Sequence, residues 1–479
     1  MDLKHSSTPN RPPSQPGMWQ RDDQNSLILA GLVWVLIVLM VVPEGFDYMS
    51  LSSTYAPMSG SKISRLLWLG LLSLSALFIV WRAGLAWLLL RSLNPFLLVF
   101  AGLAIASVAW SIEPSLTLRR SVRMATFVLT AIAFVLMAWH ARRYQNVVRP
   151  ILTIMLLGSI IFGLLFPALA IHTETSTELV GAWRGLANHK NGLGALACFG
   201  IIFWFHAWLT KEVKTVPALA GMAIAVTCLM LSRSSTAMAA ALFVMLFLFM
   251  MLRTPRGLHP YMPYIVTIFL SVLVVYALVI LNILPGQGTL LSPITALTGK
   301  DMTFTGRTGI WAIITEHIRL NPILGTGYGA YWSGPVADSP SYEFIRRMAS
   351  FYPGSAHNGY LEILNDLGWV GLLCLLAYMS THVVQSLRLL EVNRNQAALY
   401  LALLVQQAIT NLSETHWFSV LSIDFVIMAL ATTALARNLL EYRLRLAFGP
   451  PPSPSGVPHP GRSRNPKSNP TPTQRGLAP

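Results

Sequence analysis

The chain has 479 residues, 54% hydrophobic and 11% charged, with a formal net charge of +15. Soluble domains carry about 25% charged residues, so the composition excludes an ordinary soluble protein and points to an integral membrane protein. The apolar runs are unbroken and longer than the alternating strands of about ten residues that build a barrel, which predicts an all-α fold.

Residues 1–26 are polar and precede a span with no small-residue cleavage site, so the first helix is expected to remain as an anchor. About twelve transmembrane helices are predicted from apolar run length. They lie near 27–42, 66–81, 95–110, 122–139, 150–170, 191–209, 216–232, 235–252 and 263–284, then near 359–386, 397–412 and 417–436. The stretch 82–91, WRAGLAWLLL, reads as an interfacial segment or as part of a span. The expected organisation is a tail at 1–26, nine helices over 27–285, a large loop at 286–355, three helices over 356–436, and a basic Pro-rich tail at 437–479. From Pro450 the tail holds too little apolar surface to fold and is expected to be disordered.

An even span count puts both termini on one side. The connections there carry Arg82, Arg142, Arg143, Lys211, Arg253 and Arg388 among others, against Glu212 and Glu391. The positive-inside rule then places both termini in the cytoplasm and the large loop outside. The charge is dispersed over membrane loops and a tail, which argues against nucleic acid as a partner. Cys198, Cys228 and Cys374 fall inside predicted spans and read as buried apolar residues, with no disulfide framework and no metal cluster.

Several cations lie on the outward side against this bias: Arg119, Arg120, Arg123, Arg184, Lys190, Arg233 and Arg307. Snorkelling accounts for Lys62, Arg65 and part of 119–123. Arg233 is harder to dismiss, because SRSS is the polar break in the apolar stretch 217–252. A charge at hydrocarbon depth costs about 2.5–3.5 kcal/mol unless it meets a cavity or a partner; a plain turn residue is the alternative. An outward cavity lined with guanidinium forks suits phosphate oxygens, hence a lipid diphosphate.

SAHNGYLEIL (355–364) reads as a helix start with Ser355 as N-cap and His357 in the first turn. The positive helix end favours a neutral imidazole, the form that takes a proton from a hydroxyl. A histidine that merely hydrogen-bonds at the interface is the competing reading. There is no Asp-x-Asp, Walker, HExxH or G-x-S-x-G motif, and Asp301, Glu316, Asp338 and Glu343 are scattered. Gly325, Gly327 and Gly329 read as a turn beside a short helix. The economical expectation is a reaction with no metal and no cofactor, in which arginines do what a divalent ion does elsewhere.

Four blocks in this order are WRGLANHKNGLG, LSRSSTA, TGRTGIW with LNPILGTGYGAY, and AHNGYLEIL. Together they resemble the O-antigen ligase and Wzy-type polymerase superfamily, and closely the ExoQ-like exopolysaccharide production proteins. The resemblance runs from residue 30 to residue 436. It implies a GT-C-type fold and a metal-independent, inverting glycosyltransferase of the bacterial inner membrane. Such an enzyme moves a glycan from undecaprenyl diphosphate to an acceptor hydroxyl at the periplasmic face. Carried over by motif, Arg233 and Arg307 grip the diphosphate and His357 activates the acceptor. Arg184, His189 and Lys190 line the donor site, and Asn358 and Tyr360 orient the base or the sugar. The implied partners are the lipid-linked glycan donor, a glycan or lipid A–core acceptor, membrane lipids and other polysaccharide export proteins. Polymerisation of repeat units is the leading reading and O-antigen ligation the alternative. A transporter or flippase of lipid-linked sugars is a third, and it predicts repeats and broken helices.

Overall fold

The computed structural model describes residues 31, 33–37, 62–137, 143–173, 179–187, 189–280, 305–334, 337–348 and 352–448. Its main helices are α1 (Lys62–Trp81), α2 (Ala83–Leu90), α3 (Pro95–Ala106), α4 (Pro114–Met137), α5 (Arg143–Leu165), α6 (Lys190–Leu209) and α7 (Thr215–Ser232). They continue as α8 (Ser235–Arg253), α9 (Met262–Ile280), α10 (Thr305–Leu320), α11 (Gly359–Leu390), α12 (Arg394–Thr410) and α13 (Ile423–Phe448). The described residues contain no strand, only an isolated bridge between Ile171 and Trp183. The chain separates into two units, Met1–Leu440 and Glu441–Pro479, and the site described below lies in the first.

Among the described residues six helices are long and apolar enough to cross a membrane: Tyr144–Leu165, Lys190–Leu209, Thr215–Ser232, Ser235–Arg253, Gly359–Leu390 and Ile423–Leu444. The chain is a multi-pass membrane protein. The expected first span, 27–42, lies largely outside the described residues, as does the end of the ninth. α2 turns away from α1 by 96°, so the stretch 82–91 forms a separate short helix, bent sharply from the one before it. α13 begins at Ile423 and runs to Phe448. The last span therefore starts later than the expected 417, and the basic tail expected from 437 opens with helix.

Lipid offers no hydrophobic drive for one apolar helix to leave it for another, so small residues and close backbone approach hold such bundles together. Gly221 on α7 illustrates this: a Cβ there would lie 2.1 Å from the Trp204 ring on α6. α6 is 83% buried over its apolar window, against 33% for α7 and 39% for α8. That contrast makes α6 a central helix and gives α7 and α8 outer faces such as Val216, Met230, Leu242 and Leu246 to present to lipid.

α11 is broken. Gly368 sits at φ 62°, ψ −161° inside it, a conformation open essentially to glycine alone. The backbone donors freed by the break are taken up by the turn after α10. Trp369 N donates to Pro322 O at 2.8 Å and Val370 N to Ile323 O at 3.2 Å. In return Gly327 N donates to Asp366 O at 2.9 Å, and Gly329 N to Asp366 Oδ2 at 2.7 Å. Gly325, Gly327 and Gly329 all have positive φ, so the glycine run is a tight turn packed on the broken helix.

The segment between α9 and α11 has its own small core. Ile310, Ile314, Tyr331, Trp332 and Phe344 cluster apart from the main core, with Trp311 and Tyr352 packed against them. Arg120 of α4 braces this core, donating to Gly329 O at 2.5 Å and Trp332 O at 3.4 Å. Its neighbour Arg123 lies 5.2 Å over the Trp68 ring. Both cations thus have structural partners inside the described residues.

Candidate active site

α10 supplies Arg307 from its first turn. Its Nη2 donates to Glu414 Oε1 at 2.8 Å. Glu414 lies in the turn between α12 and α13, and the same oxygen accepts from Asn191 Nδ2 at 2.6 Å. Glu414 Oε2 faces His357 Nδ1 at 3.6 Å, longer than a hydrogen bond and within range of a charge contact. One carboxylate thus gathers an arginine from α10, an asparagine from α6 and the histidine that precedes α11.

The Glu414 side chain is 13% exposed and that of His357 is 26% exposed, so the pair is sheltered but open to a small polar group. Burial pushes the Glu414 carboxyl up. The His357 imidazole, then Arg307 and His416, outweigh it and hold the group at about 2. Glu414 is therefore an anion at any physiological pH.

His357 is not in the first helical turn. Asn358 is the N-cap of α11, its Oδ1 accepting from Tyr360 N and Leu361 N at 3.0 Å each. Ser355 Oγ instead accepts from His357 N at 3.3 Å. Asn358 wins the cap because its Nδ2 also reaches Leu412 O at 3.3 Å, fixing it from both ends. His357 is left in the left-handed region at φ 46°.

Four described non-glycine residues have positive φ, and two of them are Arg233, at 50°, and His357. This conformation costs an ordinary residue about 1–2 kcal/mol, and such strain gathers at functional sites. Arg233 is the left-handed C-cap of α7, a position usually left to glycine. It is exposed, and its Nη1 donates to Val180 O at 3.1 Å. α8, which starts just after it, meets the Glu414 segment through a 3.0 Å bond between Thr236 and Ser413. Arg233 thus sits at the same end of the bundle as the cluster, on a separate turn.

The HKN block divides its work. His189 is the N-cap of α6, with Nδ1 accepting from Asn191 N at 3.3 Å. Burial pushes its imidazole down to about 4, with Glu414 opposing. Lys190 N donates to His172 Nε2 at 3.1 Å, and the His172 and His189 rings stand 5.2 Å apart. Arg184 is 1% exposed, and its Nε donates to Leu169 O at 2.8 Å. Tyr360 donates its hydroxyl to Ala408 O at 3.1 Å.

Arg307 and His357 are therefore brought to one carboxylate. His189 stands beside it through Asn191, and Asn358 and Tyr360 anchor the turn that carries the histidine. Sequence reasoning missed Glu414 and Asn191. Glu414 could have been found as the acid in the polar break NLSETHW, on the same side as the large loop. Asn191 completes the HKN block.

Residues 220–376 match the Wzy_C family model, described as O-antigen ligase. The chain is similar to the O-antigen ligases. The exopolysaccharide production protein ExoQ of Rhizobium meliloti (strain 1021) is 29% identical over 321 residues, which is 64% of this chain and 68% of that protein. The region matched to the O-antigen ligase model contains Arg233, Arg307, His357, Asn358 and Tyr360. Asn191, on α6, and Glu414, in the turn between α12 and α13, lie outside it.

Proposed function

We propose that this O-antigen ligase-like chain is an inner-membrane glycosyltransferase with its site at the periplasmic face and both termini in the cytoplasm. It transfers a glycan from undecaprenyl diphosphate to an acceptor hydroxyl and polymerises exopolysaccharide or O-antigen repeat units. The observation that carries the reading is the meeting of Arg307 and His357 on the Glu414 carboxylate. The fold proposed for it is of the GT-C type that the family resemblance implies, with about twelve helices read from apolar run length, nine before the large loop and three after it.

The chemistry follows from the groups present. With Nδ1 turned to Glu414, the other ring nitrogen of His357 takes the proton of the acceptor hydroxyl. Glu414 stabilises the imidazolium so formed, as a buried carboxylate does for a histidine base. The acceptor oxygen forms its bond to the anomeric carbon on the face opposite the diphosphate, inverting the centre. The bond from that carbon to the phosphate oxygen breaks, and the diphosphate leaves with the electron pair. Arg307 and Arg233 offset its charge, as electrostatic stabilisation of a leaving phosphate requires. Arg307 also links the two halves of the reaction. When the diphosphate draws Arg307 away from Glu414, the carboxylate's charge is left freer to stabilise the imidazolium formed on His357. Lys190 and His189 line the donor side in this reading, and no metal or cofactor takes part.

The name of the ExoQ relative supports polymerisation, and the description of the matching family model supports ligation onto lipid A–core as a second reading. Complementation separates them. The gene and its His357→Ala, Arg307→Ala and Arg233→Ala variants are placed in a strain lacking its own copy, and the polysaccharide is sized. Loss of long polymer with single lipid-linked repeats accumulating is the expected result. Long polymer that persists on its carrier but is missing from lipid A–core means ligation. Wild-type behaviour in all three variants removes the proposed site.

A further inference from the structure

The left-handed turn at His357 needs an explanation, because strain of this kind persists only where the surroundings over-determine it. The residue before it, Ala356, is fully buried and held on both sides. Its N–H donates to Glu362 Oε2 at 2.7 Å, and its carbonyl accepts from Trp311 Nε1 at 3.0 Å. We propose that Glu362 and Trp311 are positioning residues. Together they clamp Ala356 and thereby aim the His357 imidazole at Glu414. The proposal rests on the glycosyltransferase reading for what the aim accomplishes.

Two features separate this from ordinary helix capping. In a capping box the acid at the third helical position reaches back to the N-cap N–H. Here Asn358 already caps α11 with its own side chain, and Glu362 reaches past both the cap and His357 to the residue before them. Glu362 is also a buried carboxylate, a group that is expensive to bury unless hydrogen-bonded. Trp311, for its part, lies four residues after Arg307 on α10, so the two share a helix face. One helix therefore delivers both the arginine that grips Glu414 and the indole that grips the turn of His357. The clamp sets the spacing between the cation and the base.

The test uses the full-length protein in lipid nanodiscs with a lipid-diphosphate-linked repeat as donor. Trp311→Phe removes the N–H donor while keeping a ring in the small core. Glu362→Leu removes the acceptor, and Glu362→Gln keeps one. Misplacing a reacting group by an ångström can lower a rate about 100-fold. The expected result is a fall in kcat of about 10- to 100-fold for Trp311→Phe and Glu362→Leu, donor KM within about twofold, and recovery of most of the rate in Glu362→Gln. A second readout needs no turnover: the rate at which diethyl pyrocarbonate modifies His357, followed by mass spectrometry. It should rise at least severalfold when the clamp is opened. Wild-type kcat together with an unchanged modification rate in both Trp311→Phe and Glu362→Leu overturns the clamp. If the wild type transfers no glycan while the modification rate still responds, the proposed function fails and the clamp stands.

Discussion

Arg307 and Glu414 are 107 residues apart in the chain and 2.8 Å apart in space. The pair is largely shielded from solvent, with side-chain exposures of 22% and 13%. In the proposed reaction a diphosphate would compete with the carboxylate for the same guanidinium. The resting ion pair would therefore oppose donor binding, and its opening would free Glu414 to act on His357.

Glu414→Gln tests that double role. The amide can still accept from Arg307 and Asn191 but carries no charge for His357. Loss of assistance to a general base lowers rates about 100-fold or more, so kcat should fall by that order. Donor KM should stay level or drop, because the competing anion has gone. Steady-state kinetics with varied donor decide it, and a raised KM at unchanged kcat sinks the idea.

Arg307→Lys separates a fork from a point charge. A guanidinium grips phosphate oxygens two at a time and an ammonium does not. Lysine should therefore raise donor KM about tenfold, equivalent to about 1.4 kcal/mol of binding. His357→Gln should leave donor binding near wild type and abolish turnover. A transporter would tolerate that glutamine, so retained substrate movement without transfer would favour the transport reading.

The half-buried N-cap histidine of α6 makes stability depend on pH. Burial holds His189 at about 4 in the fold, below its ordinary 6.5. The unfolded chain therefore binds more protons between those values. Stability should be complete above pH 6.5 and lost progressively as pH falls toward 4, by at most about 3 kcal/mol. Glu414 opposes the shift, while His172, His357 and Lys190 add to it. His189→Asn keeps a capping side chain and should flatten this part of the curve of melting temperature against pH.

Gly368→Ala should destabilise the protein by about 1–3 kcal/mol. A Cβ there would lie 2.3 Å from the backbone of Ile323, so the turn after α10 would have to move. Thermal unfolding in detergent gives the magnitude. Gly84, whose added Cβ meets nothing within 4 Å, is the control.

The helices were legible because lipid demands long apolar runs, and the SRSS break marked the turn between α7 and α8 correctly. Arg307 and His357 stood out as polar residues in an outward segment, and the structure brings both to one carboxylate. Glu414 is not legible in the sequence as their partner because it lies outside the long loop, in the short turn after α12, 107 residues from Arg307. The N-cap of α11 was misassigned for a physical reason: Ser355 and Asn358 are both good caps, and only the anchor on Leu412 O favours Asn358. The left-handed His357 could not be read at all, since non-glycine residues seldom adopt it. The break at Gly368 was likewise not legible, since a single glycine after Asn365 and Asp366 does not by itself mark a left-handed break. A broken helix is one mark expected of a transporter, but here the gap is filled by the 322–329 turn.

The small core around Ile314, Trp332 and Phe344 gives the molecule two different kinds of cohesion. Its buried residues belong to none of the helices long and apolar enough to cross a membrane, although Leu361 and Leu364 at the start of α11 pack against it. In the proposed periplasmic placement, water supplies its driving force. Hydrophobic clusters of that kind weaken in urea and on cooling, whereas helices packed in lipid have little such force to lose. Moderate urea should melt this cap while the bundle stays embedded, separating Arg307 and Trp311 from Glu414 and Ala356. Dilution should bring them back. Inactivation by denaturant will then be reversible and will precede any loss of helical circular dichroism from the bundle.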